Sequence, residues 1–149
     1  MERGSGRSNM FKTILVAIDL EHSDQGREIL QAAKGIAEAN GAEVYLLNVV
    51  PAAPPIISQY LHENYEQMVS GQARSELAEL ARAAKLKTGD DVCLIRFGTV
   101  YVEVLAAAES VNADLIITGS HKPNVSDYLI GSNAARVTRH STCSVLVIR

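Results

Sequence analysis

The residues best placed for chemistry follow two apolar runs. Asp19 stands directly after TILVAI (13–18). A carboxylate at the end of a buried strand can accept hydrogen bonds from ribose hydroxyls or help hold a hydrated metal. It can equally cap the helix beside it. The second group lies in GSHKPNVSDYLIGSNAAR (119–136). Gly119 ends an apolar run, where a bare backbone permits close approach. Gly131, Ser132 and Asn133 stand where a helix begins. Exposed N–H groups and the helix dipole make such a start an anion site, and the Ser132 hydroxyl can donate to a phosphate oxygen. His121 and Lys122, in the intervening loop, can add hydrogen bonds or charge. A Gly-Ser-Asn start also serves for capping alone.

Other chemistries lack their residues. There is no G-x-x-x-x-G-K-[ST] phosphate loop, no G-x-G-x-x-G after the first run and no G-x-S-x-G elbow. His22, His62, His121 and His140 have no metal-ligand spacing with cysteines. His62 reads as a solvated helix residue, and His140 as a complement to a helix C-terminus. Cys93 and Cys143 are too far apart in sequence for a C-x-x-C site. Both fall in strand-like segments and read as buried free thiols. No nucleophile–base constellation appears, which makes a metabolic enzyme the weakest class.

The elements that must position these residues alternate from end to end. Runs at 13–18, 44–50, 92–97, 113–119 and 144–149 are short, apolar and rich in Val, Ile and Leu, as strands covered on both faces are. Helical spacing appears between them. Ile29, Ala33 and Ile36 mark the first helix, which Ser23 or Asp24 can cap and which Asn40-Gly41 ends. PAAPPIISQYL (51–61) reads as a loop, because its prolines forbid a regular helix at its start. The longest helical segment runs from about 59 to 86, with its apolar stripe late, at Leu77, Leu80, Ala81 and Ala84. Val100, Val104, Leu105 and Ala108 mark the next helix, and the last begins near Ser132. The order βαβαβαβαβ predicts an α/β fold: one open, five-stranded parallel sheet with helices on both faces.

Bulk composition fits this. A chain of 149 residues makes one domain and buries enough surface to need no disulfide or metal staple. The net charge of −3, with no Lys/Arg run, argues against nucleic acid as a partner. No segment reaches the apolar length of a membrane span. Residues 1–9 are polar, lack the apolar stretch of a secretory signal, and read as a disordered leader or expression remnant; residues 10–149 read as the domain. Free thiols and the absence of a signal make the cytoplasm the expected location.

From Met10 to Arg149 the chain resembles the universal stress protein family. The resemblance is carried by KTILVAID, LLNVV, ADLIITGSH and GSNAARVTRHSTCSVLVIR. ATP-binding members carry G-x2-G-x9-G-[ST] after the fourth strand. Gly119 matches its first glycine and Gly131-Ser132 its final pair. Lys122 stands in place of the middle glycine, and the stretch that follows is one residue short. GSHKPN leading to LIGSN looks like the F/G-type subgroup, also regarded as nucleotide binders. The resemblance implies a Rossmann-like, adenine nucleotide alpha hydrolase-like fold with strand order 3-2-1-4-5. It implies adenine and ribose at Ala17, Ile18, Asp19, Leu20 and Val49. Ribose and phosphate would lie near Thr118 and Gly119, and phosphates on Ser132 and Asn133. The ligand would be ATP, or ADP or AMP, with Mg2+ carried by the nucleotide. The partners would be a second copy, paired through the last strand, and a protein client the residues do not name. The expected function is that of a nucleotide-dependent stress-response module with at most weak hydrolysis or self-phosphorylation. The alternative is a nucleotide-free dimeric interaction protein.

Overall fold

Each of the five apolar runs forms a strand of one parallel sheet. In the computed structural model, which describes residues 9–61, 63–87, 89, 91–120 and 130–149, these are β1 (Thr13–Ala17), β2 (Glu43–Val50), β3 (Cys93–Phe97), β4 (Leu115–Gly119) and β5 (Ser144–Ile148), ordered β3-β2-β1-β4-β5. Pairing sets Val16 beside Leu46 and Ile117, so the most apolar run lies at the centre. β4 begins two residues later than its apolar run because Asp114 is committed elsewhere. Its carboxylate accepts the N–H groups of Lys12 and Thr13, at 2.8 and 3.1 Å, and pins the entry of β4 to that of β1.

Alternation along the strands divides the core in two. Ile14, Val16, Leu46 and Ile117 face α1 (Ser23–Asn40) and α3 (Tyr65–Ala83), meeting Ile29, Leu30, Ala33, Leu77 and Ala81. Leu15, Leu47 and Ile116 face α4 (Val100–Ser110) and α5 (Ser132–His140), meeting Val104, Ala107, Ala108 and Val137. The helical spacings therefore point at the core as expected. Gly41 closes α1 in the left-handed conformation, at φ +66°, with its N–H on Ala37 O. A Cβ is strained there, which is why glycine suits the position.

Three expectations need correction. The segment after β2 contains a single-turn helix, α2 (Pro55–Ser58), and α3 starts only at Tyr65, not near 59. Pro55 opens the short turn at a position whose N–H would go unpaired anyway. Neither Ser23 nor Asp24 caps α1. Both lie in its first turn; His22 is the cap residue and makes no side-chain cap bond, because a 3-10 turn (Leu20–His22) leads directly into the helix. Cys143 lies just before β5 and is half-buried, whereas Cys93 is buried within β3. These thiols approach opposite edges of the sheet. Four strand spacings, roughly 19 Å, separate those edges and exclude a disulfide within one chain.

Candidate functional site

An open parallel sheet offers a crevice where successive crossovers leave in opposite directions. Here β1 lies between β2 and β4, and the crevice opens at their carboxyl ends. It is a cleft of about 350 Å3. Its walls come from the exits of β1, β2 and β4 and from the start of α5. Ala17, Ile18, Asp19, Leu20, Val49, Thr118, Gly119, Gly131, Ser132 and Asn133 all line it. His121 and Lys122 lie outside the described residues.

Asp19 is exposed at the rim and ordered by its own turn. One carboxylate oxygen accepts the Glu21 N–H at 3.0 Å, and the other meets His22 Nδ1 at 2.9 Å. The capping role therefore exists, but for the 3-10 turn and not for α1. A carboxylate has about four acceptor positions, so these two contacts leave capacity for a ligand.

The start of α5 is tied back to β4. Gly131 N–H donates to Ser120 Oγ at 2.8 Å, and Ser120 N–H donates to Ile148 O at 2.8 Å. The Gly131 amide is thus already occupied. The first intrahelical bond comes from Ala135 N–H to Gly131 O, so the amides of Ser132, Asn133 and Ala134 have no helical carbonyl to bond. Ser132 and Asn133 are exposed at this end. N–H groups without a helical carbonyl, at a dipole's positive end, favour an anion.

Gly119 lines the cleft and has a second reason to be glycine. A Cβ there would come within 2.8 Å of the Gln25 side chain and 2.9 Å of Ile29 Cδ1. The glycine lets α1 press against the end of β4.

Several cleft residues escaped the sequence reading. Val100, Val104 and Val137 form an apolar wall from α4 and α5. At helical spacing they read as core, and only the meeting of two helices at the strand ends shows their second role. Asn48 also lines the cleft. Its signal was available: it is a single amide inside the apolar run VYLLNVV.

A doubly wound sheet with a ligand-sized cleft at its reversal point, bordered by a helix start, is an α/β domain with a candidate small-molecule site. Comparison with known proteins names its kind. The model of the universal stress protein family matches residues 10–149, and the chain belongs to that family. It is 30% identical over 146 residues to universal stress protein G of Escherichia coli O157:H7, covering 94% of this chain and 100% of the relative. That likeness agrees with the F/G-type features of the loop after β4. Among solved structures, a universal stress protein in complex with cAMP superposes with a TM-score of 0.62 at 24% identity, covering 93% of this chain and 97% of the other. The universal stress protein of Archaeoglobus fulgidus in complex with dAMP gives 0.66 at 20% identity, covering 94% and 99%. These two likenesses establish the fold.

Proposed function

We propose that the cleft binds an adenine nucleotide, with ATP as the ligand, and that the chain serves as a nucleotide-dependent stress-response module in the cytoplasm. The observation that carries the proposal is convergence. One cleft joins the exposed Asp19 carboxylate, an apolar wall and the start of α5, whose first three amides have no helical carbonyl to bond. A nucleotide presents a diol, a base face and phosphates, and each has a matching group. The cAMP and dAMP bound by the two structural relatives support an adenine nucleotide in particular. Mg2+ would arrive with the phosphates, and Asp19 would orient it or its water in any slow hydrolysis or self-phosphorylation.

The test uses protein purified without added nucleotide. Denaturation and mass spectrometry should release ATP or ADP near one per chain. Calorimetry of emptied protein with ATP and Mg2+ should give a Kd of about 10 μM or tighter. No released nucleotide and no binding heat would overturn the proposal in favour of the nucleotide-free interaction protein.

One observation bears on that second reading. Among the described residues β5 pairs with β4 alone and leaves its other edge open. We propose that two copies pair along this edge, since an apolar edge strand invites a partner. The bond from Ser120 N–H to Ile148 O sets the phase: Ile148 and Leu146 turn their backbone groups to β4, and Val145 and Val147 turn theirs outward. Val147→Pro removes an outward N–H without touching the β4 ladder. Light scattering should show monomer, with the circular dichroism of the wild type. A folded dimer would place the interface elsewhere.

A further inference from the structure

Pro51 to Leu61 leaves the end of β2 as an arm. Its root is in the cleft wall, where Val50 and Pro51 both line the cavity. Pro51, Pro54 and Pro55 fix their own φ, and Pro54 sits in the polyproline region at φ −55° and ψ 145°. The stretch is therefore held extended up to α2. The short helix is then closed by local bonds. Ile57 and Ser58 N–H both donate to Pro54 O at 2.9 Å, Tyr60 N–H donates to Ile57 O at 3.0 Å, and Ser58 Oγ donates to Pro55 O at 2.9 Å. Among the described residues no hydrogen bond joins 51–61 to the rest of the molecule.

The side chains on this arm do not suit their surroundings. Ile56 is 74% exposed, Ile57 51% and Tyr60 77%. Single apolar side chains on a surface need no explanation, but apolar side chains grouped there mark a contact surface. A single helical turn has no core of its own in which to bury them, and α2 contributes no residue to the cleft as the structure stands. The length of the arm suits the cleft beside it. Residues 51–55 in the polyproline conformation span about 15 Å. From β2 across β1 to β4 is two strand spacings, about 10 Å. A turn about the root at Pro51 is therefore enough to carry α2 across the cleft mouth.

We propose that α2 and Tyr60 form a strap that closes over the cleft when a nucleotide binds, laying Ile56, Ile57 and Tyr60 on the face of the base turned away from the valine wall. The inference rests on the nucleotide reading above and adds a moving part to it. The base is the flat, apolar portion of the ligand, and Val100, Val104 and Val137 cover it from one side. Closing the strap takes two apolar surfaces out of water together, that of the base and that of the arm. The prolines keep the cost of ordering low, since a stiff arm has little conformational freedom to lose. Contacts made only after the ligand is seated slow its release more than they alter its capture.

The chain has no tryptophan, so Tyr60→Trp places a single reporter on the strap. Its emission and its quenching by acrylamide are read on the full chain with and without ATP and Mg2+, while calorimetry measures binding separately. The emission should shift to the blue and the quenching should fall, both saturating at the calorimetric Kd. The triple variant Ile56→Ser, Ile57→Ser, Tyr60→Ser should keep the wild-type Tm, because the side chains it changes are exposed. It should bind ATP more weakly by about tenfold or more, mostly through faster release. A reporter that stays unshifted at saturating ATP, or a triple variant that binds as wild type does, overturns the strap. So does a blue shift that grows with protein concentration in the absence of nucleotide, which would mean that a second copy covers the patch. In each of those cases ATP still binds, and the strap fails alone. Wild type that binds no ATP fails the nucleotide reading and the strap with it.

Discussion

Gly131→Val is expected to leave the sheet standing and to remove ATP binding. Gly131 has φ −56° and ψ 149°, a conformation open to any residue except in so far as its side chain needs room. Valine therefore imposes no backbone strain. Its N–H can still donate to Ser120 Oγ, so α5 remains tied to β4. The side chain is another matter. Gly131 is buried and lines the cleft at the residue immediately before the three amides that have no helical carbonyl to bond. An isopropyl group at this point occupies the ground that phosphate oxygens need. Each hydrogen bond to a charged group is worth about 1.5–3 kcal/mol, so losing even two weakens ATP by roughly 100-fold or more. The measurement is calorimetric titration with ATP and Mg2+, paired with thermal unfolding. A folded variant with unchanged affinity would remove the start of α5 from the phosphate site. A control at Ser132→Ala should cost far less, because it deletes one hydroxyl and keeps the three amides.

The fold was legible because two-sided burial writes itself into sequence. β1 and β4 read as unbroken apolar runs since α1 covers one face and α4 the other. Errors gathered where local pattern and tertiary demand part. Residues 59–64 carry no helix breaker, yet α3 waits until Tyr65. Its early turns bury nothing before Ala73, so no core contact fixes where the helix begins. Ser23 and Asp24 look like caps, but the bond pattern of Asp19 with Glu21 and His22 starts a turn three residues earlier. The candidate site was half legible for a related reason. Asp19 and Gly131-Ser132 announce themselves as polar or flexible residues at strand and helix ends. Val100, Val104 and Val137 do not, because a valine facing a ligand and a valine facing a sheet obey the same spacing. Gly119 carries two demands that share one residue: it lines the cleft at a strand end, and its missing Cβ also admits α1.

Leu15→Ala should produce the largest loss of stability among these changes, while sparing the cleft. Leu15 is fully buried at the middle of β1, paired with Tyr45 on one side and Ile116 on the other. It faces α4 and α5, where Ala107 and Ala108 supply the opposing surface. Those alanines let the helix lie close, so the bulk between sheet and helix comes from Leu15, Leu47 and Ile116 on the sheet side. Removing the isopropyl end of the side chain leaves a hole that its small neighbours cannot fill. α4 could collapse into it only by tilting, and Val104 on the same helix is held at the cleft wall. The cost thus belongs in the middle or upper part of the Leu→Ala range, about 3–4 kcal/mol, a large share of a domain's total of about 5–15. For a domain of this size that lowers Tm by about 10 °C. Leu15 does not line the cleft, so ATP affinity measured well below the new midpoint should stay within about twofold. Loss of affinity in parallel with stability would mean that the sheet centre and the cleft wall move as one body, through α4. An unchanged Tm would mean that α4 repacks freely, and the close fit of its alanines would then contribute little.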